Sequence, residues 1–324
     1  MKIKWGCRSF LTPMTDKNGN GLFYGRGNVG VQTVNLPMVA LIAKKENCDF
    51  YEELDKYLNL CKQMGLLRFK KFEGVKANVA PLLWMHGVFS RLNPEDEVLP
   101  VIKSKFTVSL GYSGLYETVK IITGKSHTTE EGFKFAKELM EYLNNTCKKW
   151  REETGLLFSL YGTPAESTAG LFCNKIKKEF GDIKDITDKG FITNSYHVDV
   201  REEIDAFSKL KLEGKLQQES LGGCVSYIET YNMSKNLKAL EQVVDYIYEN
   251  DTYAEINFES DVCGECGYTG VMEYDLNKDK WVCPQCHNDN QNKLSVVRRT
   301  CGYLSENYWT KGRVLDILNR VKHL

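Results

Sequence analysis

Phe106-Thr107-Val108-Ser109-Leu110, a long amphipathic run from Thr128 to Gly155, then Leu156-Leu157-Phe158-Ser159-Leu160-Tyr161: this succession decides the fold class. The two flanking runs are rich in β-branched and aromatic residues, the composition of strands. Between them Phe133, Ala136, Leu139, Leu143, Cys147 and Trp150 recur at intervals of three and four, which is one apolar face of a helix. Thr128 and Glu131 have the spacing of a capping box, and Gly155 supplies the stop. Outward from this unit the pattern repeats. Phe50, Leu54, Tyr57, Cys61 and Met64 predict a second helix with Cys61 in the core, and a third runs from about Ser234 through Leu237, Leu240, Val243, Val244 and Ile247. Tyr196-His197-Val198-Asp199-Val200 and Ala254-Glu255-Ile256-Asn257-Phe258 read as further strands. Strands alternating with long helices predict an α/β layer or barrel over residues 1–258. The first 37 residues are dominated by turn formers such as Asn18-Gly19-Asn20-Gly21 and Gly25-Arg26-Gly27-Asn28.

The 324 residues carry 43 Lys+Arg against 43 Asp+Glu, and 42% are hydrophobic. A neutral chain without charged tails has no long-range field for phosphate backbones, so direct DNA or RNA binding is not expected. The longest apolar runs, such as Val79 to Met85, fall short of the roughly 20 residues that span a bilayer, and no membrane span is expected. Met1 to Cys7 lacks the apolar centre of a secretory leader, which predicts a cytoplasmic protein. Eleven cysteines in a chain this long fit a reducing compartment better than a disulfide scaffold.

Five of those cysteines crowd into the C-terminal part. Cys263-Gly264-Glu265-Cys266 and Cys283-Pro284-Gln285-Cys286 are two CxxC pairs whose separation suits two hairpin knuckles closing on one tetrahedral thiolate site. Val271 to Tyr274 and Lys280 to Val282 read as paired strands across an Asn277-Lys278 turn. The reading is a structural zinc ribbon over 259–290, with a redox CxxC pair or an iron–sulfur cluster as alternatives. His287 is a bystander, because four sulfurs already complete the site and leave no open position for substrate. Behind the ribbon, Arg298-Arg299-Thr300-Cys301-Gly302-Tyr303-Leu304 precedes a helix-like run, Gly312 to Val321. By composition alone Gly302 is a turn residue and Cys301 a spare thiol.

That segment resembles the radical loop of glycyl radical enzymes, and its place behind a four-cysteine site is similar to the arrangement in anaerobic, class III, ribonucleotide reductases. Gly6-Cys7-Arg8-Ser9-Phe10-Leu11, with Gly25-Arg26-Gly27-Asn28-Val29-Gly30-Val31 and Asn35-Leu36-Pro37, resembles that family's active-cysteine finger loop. Ser109 to Glu117, Ser159 to Ser167 and Thr193 to His197 are similar to its other blocks, so the likeness runs along the whole chain in order. The resemblance implies the C-terminal half of a ten-stranded α/β barrel, with a radical loop and helix over 291–324. It implies a glycyl radical at Gly302, installed by a separate radical-SAM activating protein. Only a residue without Cβ lets such a centre flatten without steric cost. It further implies a thiyl radical at Cys7 that attacks the ribose C3′ hydrogen, and an Asn28 amide that bonds the ribose hydroxyls. Thr163, Ala165, Glu166 and Ser167, at a strand-to-helix turn, become the cradle for nucleotide phosphates, against the plainer reading of an N-cap.

A complete member of the family also needs the first half of the barrel, a second active cysteine and allosteric nucleotide sites. None fits ahead of Cys7, so an upstream half is an expected partner within a homodimer acting on ribonucleoside triphosphates. Formate is the expected reductant, although Trp5 stands where formate-using members usually carry methionine, and a thioredoxin-like or glutaredoxin-like donor is the second choice. His86 and His197 read as hydrogen-bonded structural residues. The competing classes are a lyase of the pyruvate formate-lyase type, disfavoured by the single Cys7, and a non-catalytic zinc-ribbon scaffold or decayed half-gene.

Overall fold

The computed structural model describes residues 3–4, 10–11, 14–15, 19–299, 304–305 and 310–324. Trp5, Cys7, Cys301 and Gly302 lie outside the described residues. The chain forms two compact units, one of residues 1–163, 194–196 and 216–224, the other of 164–193, 197–215 and 225–324.

The first unit is built on three parallel strands, β3 (Gly27–Asn35), β4 (Phe106–Ser113) and β5 (Leu157–Gly162), paired in that order. Ahead of them, β1 (Ile3–Lys4) and β2 (Phe10–Leu11) pair antiparallel. Every residue of β4 is buried, as a central parallel strand covered on both faces requires. Alternation sorts its side chains. Val108 and, on β5, Phe158 face helix α2 (Phe50–Lys70), whose Gly65 leaves room for both. The opposite face carries Ser109, Gly111 and Ser159. Helices α1 (Leu36–Glu46), α3 (Pro81–Trp84), α4 (Leu99–Lys105), α5 (Leu115–Thr123) and α6 (Glu130–Thr154) complete the unit. α6 packs Trp150 edge-on against Phe158 at 5.1 Å and ends at Gly155, φ 69°. Its cap is Thr129, which accepts from Gly132 N at 3.2 Å, one residue past the predicted Thr128. Glu131 does not close a capping box; it pairs with Lys125. Cys61 is half-buried, and burial raises its thiol pKa to about 11.

In the second unit, β6 (Ser226–Glu229) and β7 (Ala254–Asn257) are parallel neighbours joined through α9 (Leu237–Asn250). α9 is capped by Asn236, which accepts from Ala239 N, so it begins later than the predicted Ser234. Ala206 and Leu210 of α8 (Ala206–Gln217) pack with Ile228, Tyr246 and Ile247. α7 (Glu166–Phe180) lies against α10 (Lys311–Leu318), where Gly170 and Gly312 bring the backbones so close that a Cβ on Gly312 would stand 2.7 Å from Gly170 Cα.

The predicted strand Tyr196–Val200 does not form. Ser195 takes φ 38°, a left-handed conformation no strand tolerates. Val198 N donates to Glu213 Oε1 at 2.9 Å instead of to a neighbouring strand. No described helix is long and apolar enough to cross a membrane.

Candidate functional site

The ribbon is made of β8 (Asp261–Cys263), β9 (Thr269–Gly270), β10 (Glu273–Asp275), β11 (Lys280–Val282) and β12 (Leu294–Ser295), with β12-β8-β9 one sheet and β10-β11 another. The β10–β11 turn falls at Asn277-Lys278 as predicted, both backbone N–H groups donating to Asp275 Oδ1. The sulfurs of Cys263, Cys266, Cys283 and Cys286 all lie within 4.8 Å of one another, with Cys263–Cys286 and Cys266–Cys283 at 3.7 Å. A metal about 2.3 Å from each of four tetrahedral sulfurs separates them by roughly 3.8 Å, so the group is shaped to hold one ion. The Cys263 thiol is lowered to about 6 by the backbone N–H of Cys266, followed by that of Glu265 and the amide of Asn288, despite its burial. Thiolate is the form a metal takes. Each knuckle turns on the residue after its second cysteine, Gly267 at φ 76° and His287 at φ 57°. His287 is outside the sulfur group, and its role is this turn, which the sequence reading did not assign.

The ribbon is tied to the segment that follows it. β13 (Arg298–Arg299) pairs antiparallel with β14 (Leu304–Ser305), Arg298 opposite Ser305 and Arg299 opposite Leu304. Gly302 lies outside the described residues. Arg298 forks onto Asp261, with Nη2 at 2.7 Å from Oδ2 and Nη1 also paired, and its guanidinium stands 5.1 Å over the Trp281 ring. Both partners are buried, and Asp261 Oδ2 also accepts from Met272 N. Arg299 reaches the other way, to Asn257 Oδ1 at 2.7 Å and Glu255 Oε2 at 2.5 Å on β7. The hairpin base is thus held to the ribbon by one arginine and to the parallel strands by the next. A cavity of about 300 Å³ beside it is lined by Arg298, Arg299, Leu304, Glu229 and Arg320.

In the first unit the polar face of β3-β4-β5 carries the predicted Asn28. Its Nδ2 donates to Ser109 Oγ at 2.7 Å and its Oδ1 accepts from Gly30 N at 2.7 Å. The register of β3 against β4 slips between Asn28 and Val31, a bulge. Thr33 and Thr163 hydroxyls meet at 3.0 Å across Gly111, whose missing side chain makes the room. Ser109, Thr33 and Gly30 received no role from the sequence, since one hydroxyl or glycine within a strand gives no periodic signal.

The phosphate-cradle residues divide between the units, Thr163 ending the first and Ala165, Glu166 and Ser167 opening α7 in the second. Ala165 is the N-cap of α7 and offers no side-chain cap, and Glu166 O accepts from Arg313 Nη2 of α10 at 3.1 Å. His197 is a structural histidine as expected, with Nε2 2.8 Å from Val225 O. His86, by contrast, is exposed.

These features define a mixed α/β protein with a four-cysteine cluster. A family model described as anaerobic ribonucleoside-triphosphate reductase matches residues 2–323. The chain is similar to the anaerobic ribonucleoside-triphosphate reductase of Escherichia coli (strain K12), 39% identical over 330 aligned positions covering 100% of the chain and 46% of that protein. It is 38% identical to that of Enterobacteria phage T4, over 98% of the chain and 52% of the relative. Among solved structures, an anaerobic ribonucleotide reductase superimposes with a TM-score of 0.66 at 20% identity, over 96% of this chain and 47% of that one. The Thermotoga maritima reductase with glycerol in the active site superimposes with 0.63 at 20% identity, over 97% and 46%. The chain belongs to the anaerobic ribonucleoside-triphosphate reductase family. It spans about half the length of the relatives it matches.

Proposed function

We propose that this chain is the C-terminal catalytic part of an anaerobic reductase that converts ribonucleoside triphosphates to deoxyribonucleoside triphosphates. The observation that carries the reading is the family match over residues 2–323, a span that includes Cys7, Asn28, the four ribbon cysteines and Gly302. Residues 1–258 form the second half of a ten-stranded barrel with its finger loop, 259–290 a zinc ribbon, and 291–324 the radical loop and final helix. Cys263, Cys266, Cys283 and Cys286 hold zinc, which shapes the fold and, with four sulfurs and no open position, takes no part in the reaction.

A radical-SAM activating protein removes a Cα hydrogen from Gly302. The glycyl radical then takes the thiol hydrogen of Cys7, and the Cys7 thiyl takes the C3′ hydrogen of the ribose. Asn28 bonds the ribose hydroxyls, while Thr163, Ala165, Glu166 and Ser167 receive the phosphates at the start of α7. Formate supplies the reducing equivalents. The upstream half completes the barrel, and the whole enzyme is a cytoplasmic homodimer. Turnover of a ribonucleoside triphosphate by the complete, activated enzyme tests this: Gly302→Ala removes turnover without loss of folding, whereas full turnover by that variant overturns it.

A further inference from the structure

Beyond the residues already assigned, the bulge of β3 is held by a side chain from another element. Arg68, near the end of α2, donates from Nη1 to Val29 O at 3.1 Å and from Nη2 to Val31 O at 3.3 Å. The Gln32 amide, in the orientation that satisfies both neighbours, accepts from Arg68 Nε at 2.6 Å and donates to Ser109 O at 3.2 Å. One guanidinium therefore grips both carbonyls flanking Gly30 and a third group beyond them. Gly30 has φ 131°, and a Cβ there would lie 1.8 Å from Arg68 Nη1. The glycine leaves the space that the guanidinium fills. On the other side of the same bulge, Gly30 N is the donor that fixes Asn28 Oδ1.

We infer that Arg68 is a positioning residue, clamping the β3 bulge so that the Asn28 amide is presented in one orientation to the two ribose hydroxyls; this rests on the proposed role of Asn28. A bulge re-aims the side chain beside it, and here the bulge is locked by a rigid fork of donors from another element. The chemistry of the lock is specific. An asparagine amide has two N–H donors and two lone pairs on oxygen. Ser109 takes one donor and Gly30 N one lone pair, so with respect to the described residues one of each stays available, the set that pairs with a vicinal diol. Were the amide to rotate, the donor and acceptor would exchange places and the match would be lost. A lysine at 68 provides a single mobile charge and cannot span two carbonyls and an amide oxygen.

The test uses the complete activated enzyme with the variants Arg68→Met, Arg68→Lys, Asn28→Ala and the double variant Asn28→Ala with Arg68→Met. Measured are kcat and KM for the ribonucleoside triphosphate, the amplitude of the glycyl radical signal, and thermal unfolding. Arg68→Met is expected to lower kcat by about tenfold or more, the scale of a small misplacement of a reacting group, with the radical amplitude kept and KM moved far less. Arg68→Lys lowers kcat in the same direction. Added to Asn28→Ala, the Arg68→Met change costs nothing further, since the clamp acts only through Asn28. Full activity of both Arg68 variants with an impaired Asn28→Ala overturns the clamp and leaves the role of Asn28 standing. An unimpaired Asn28→Ala overturns that role and the inference with it. Additive losses in the double variant, or loss of the radical signal in both Arg68 variants, also overturn the clamp, because Arg68 would then serve the fold at large. Should Arg68→Met fail to fold, Arg68→Lys alone and combined with Asn28→Ala decides the matter by the same criteria.

Discussion

At the scale of single residues, Asp261 and Arg298 tie β13 to the ribbon. Both are buried, and the carboxylate has no other cation to balance it at hydrogen-bond distance among the described residues. Arg298→Met removes the partner of a buried carboxylate, which costs about 3–5 kcal/mol. Calorimetry should show a lower unfolding temperature for the variant and weaker retention of bound metal; an unchanged profile would contradict the anchoring role. The cysteine quartet was legible because metal ligands recur at fixed short spacings. The Arg298–Asp261 pair was not, since its partners stand 37 positions apart and an ion pair across that distance leaves no pattern in a sequence. Arg68 was hidden for the same reason, lying 39 positions from Val29 on a helix whose apolar stripe drew the reading.

At the scale of elements, α8 meets the C-terminal end of α9, where a Cβ on Gly214 would stand 2.4 Å from Asn250 O. Asp251 lies there, and burial first, with the neighbouring Glu213 carboxylate second, raises its pKa to about 7, Lys209 opposing. The folded chain thus holds this proton up to a higher pH than the unfolded chain, whose carboxyl titrates near 3.9. The contribution to stability is full below about 4 and is lost as the pH rises through about 7. Asp251→Asn should therefore unfold at a temperature less sensitive to pH between about 5 and 8 than the parent, with the gain largest at the upper end. Parallel slopes for the two would contradict this. Helices were the readable elements: α2, α6 and α9 follow from apolar spacing, with ends displaced only where Thr129 and Asn236 cap in place of their neighbours. The stretch Tyr196–Val200 misled because its β-branched residues mimic a strand. Glu213 and Val225 take up its polar groups, and they are distant in sequence.

At the scale of the whole molecule, the chain covers about half of each relative it matches, and the proposed reaction needs the rest. β3, β4 and β5 form a parallel sheet of three strands among the described residues, and β6 with β7 a pair, against the ten that a closed barrel of this type requires. Leu60, Met64 and Leu67 make an exposed apolar stripe along α2, more than half accessible at each position. Such edges and stripes fit the expected upstream half. The central claim is that Gly302 carries the radical. Its most direct test is anaerobic electron paramagnetic resonance of the chain treated with its activating protein, SAM and a reductant, with and without the upstream half. The account predicts a doublet that collapses to a singlet when glycine is deuterated at Cα and that is absent in Gly302→Ala. A chain that binds its metal yet gives no signal with an activating protein shown to cleave SAM would contradict it.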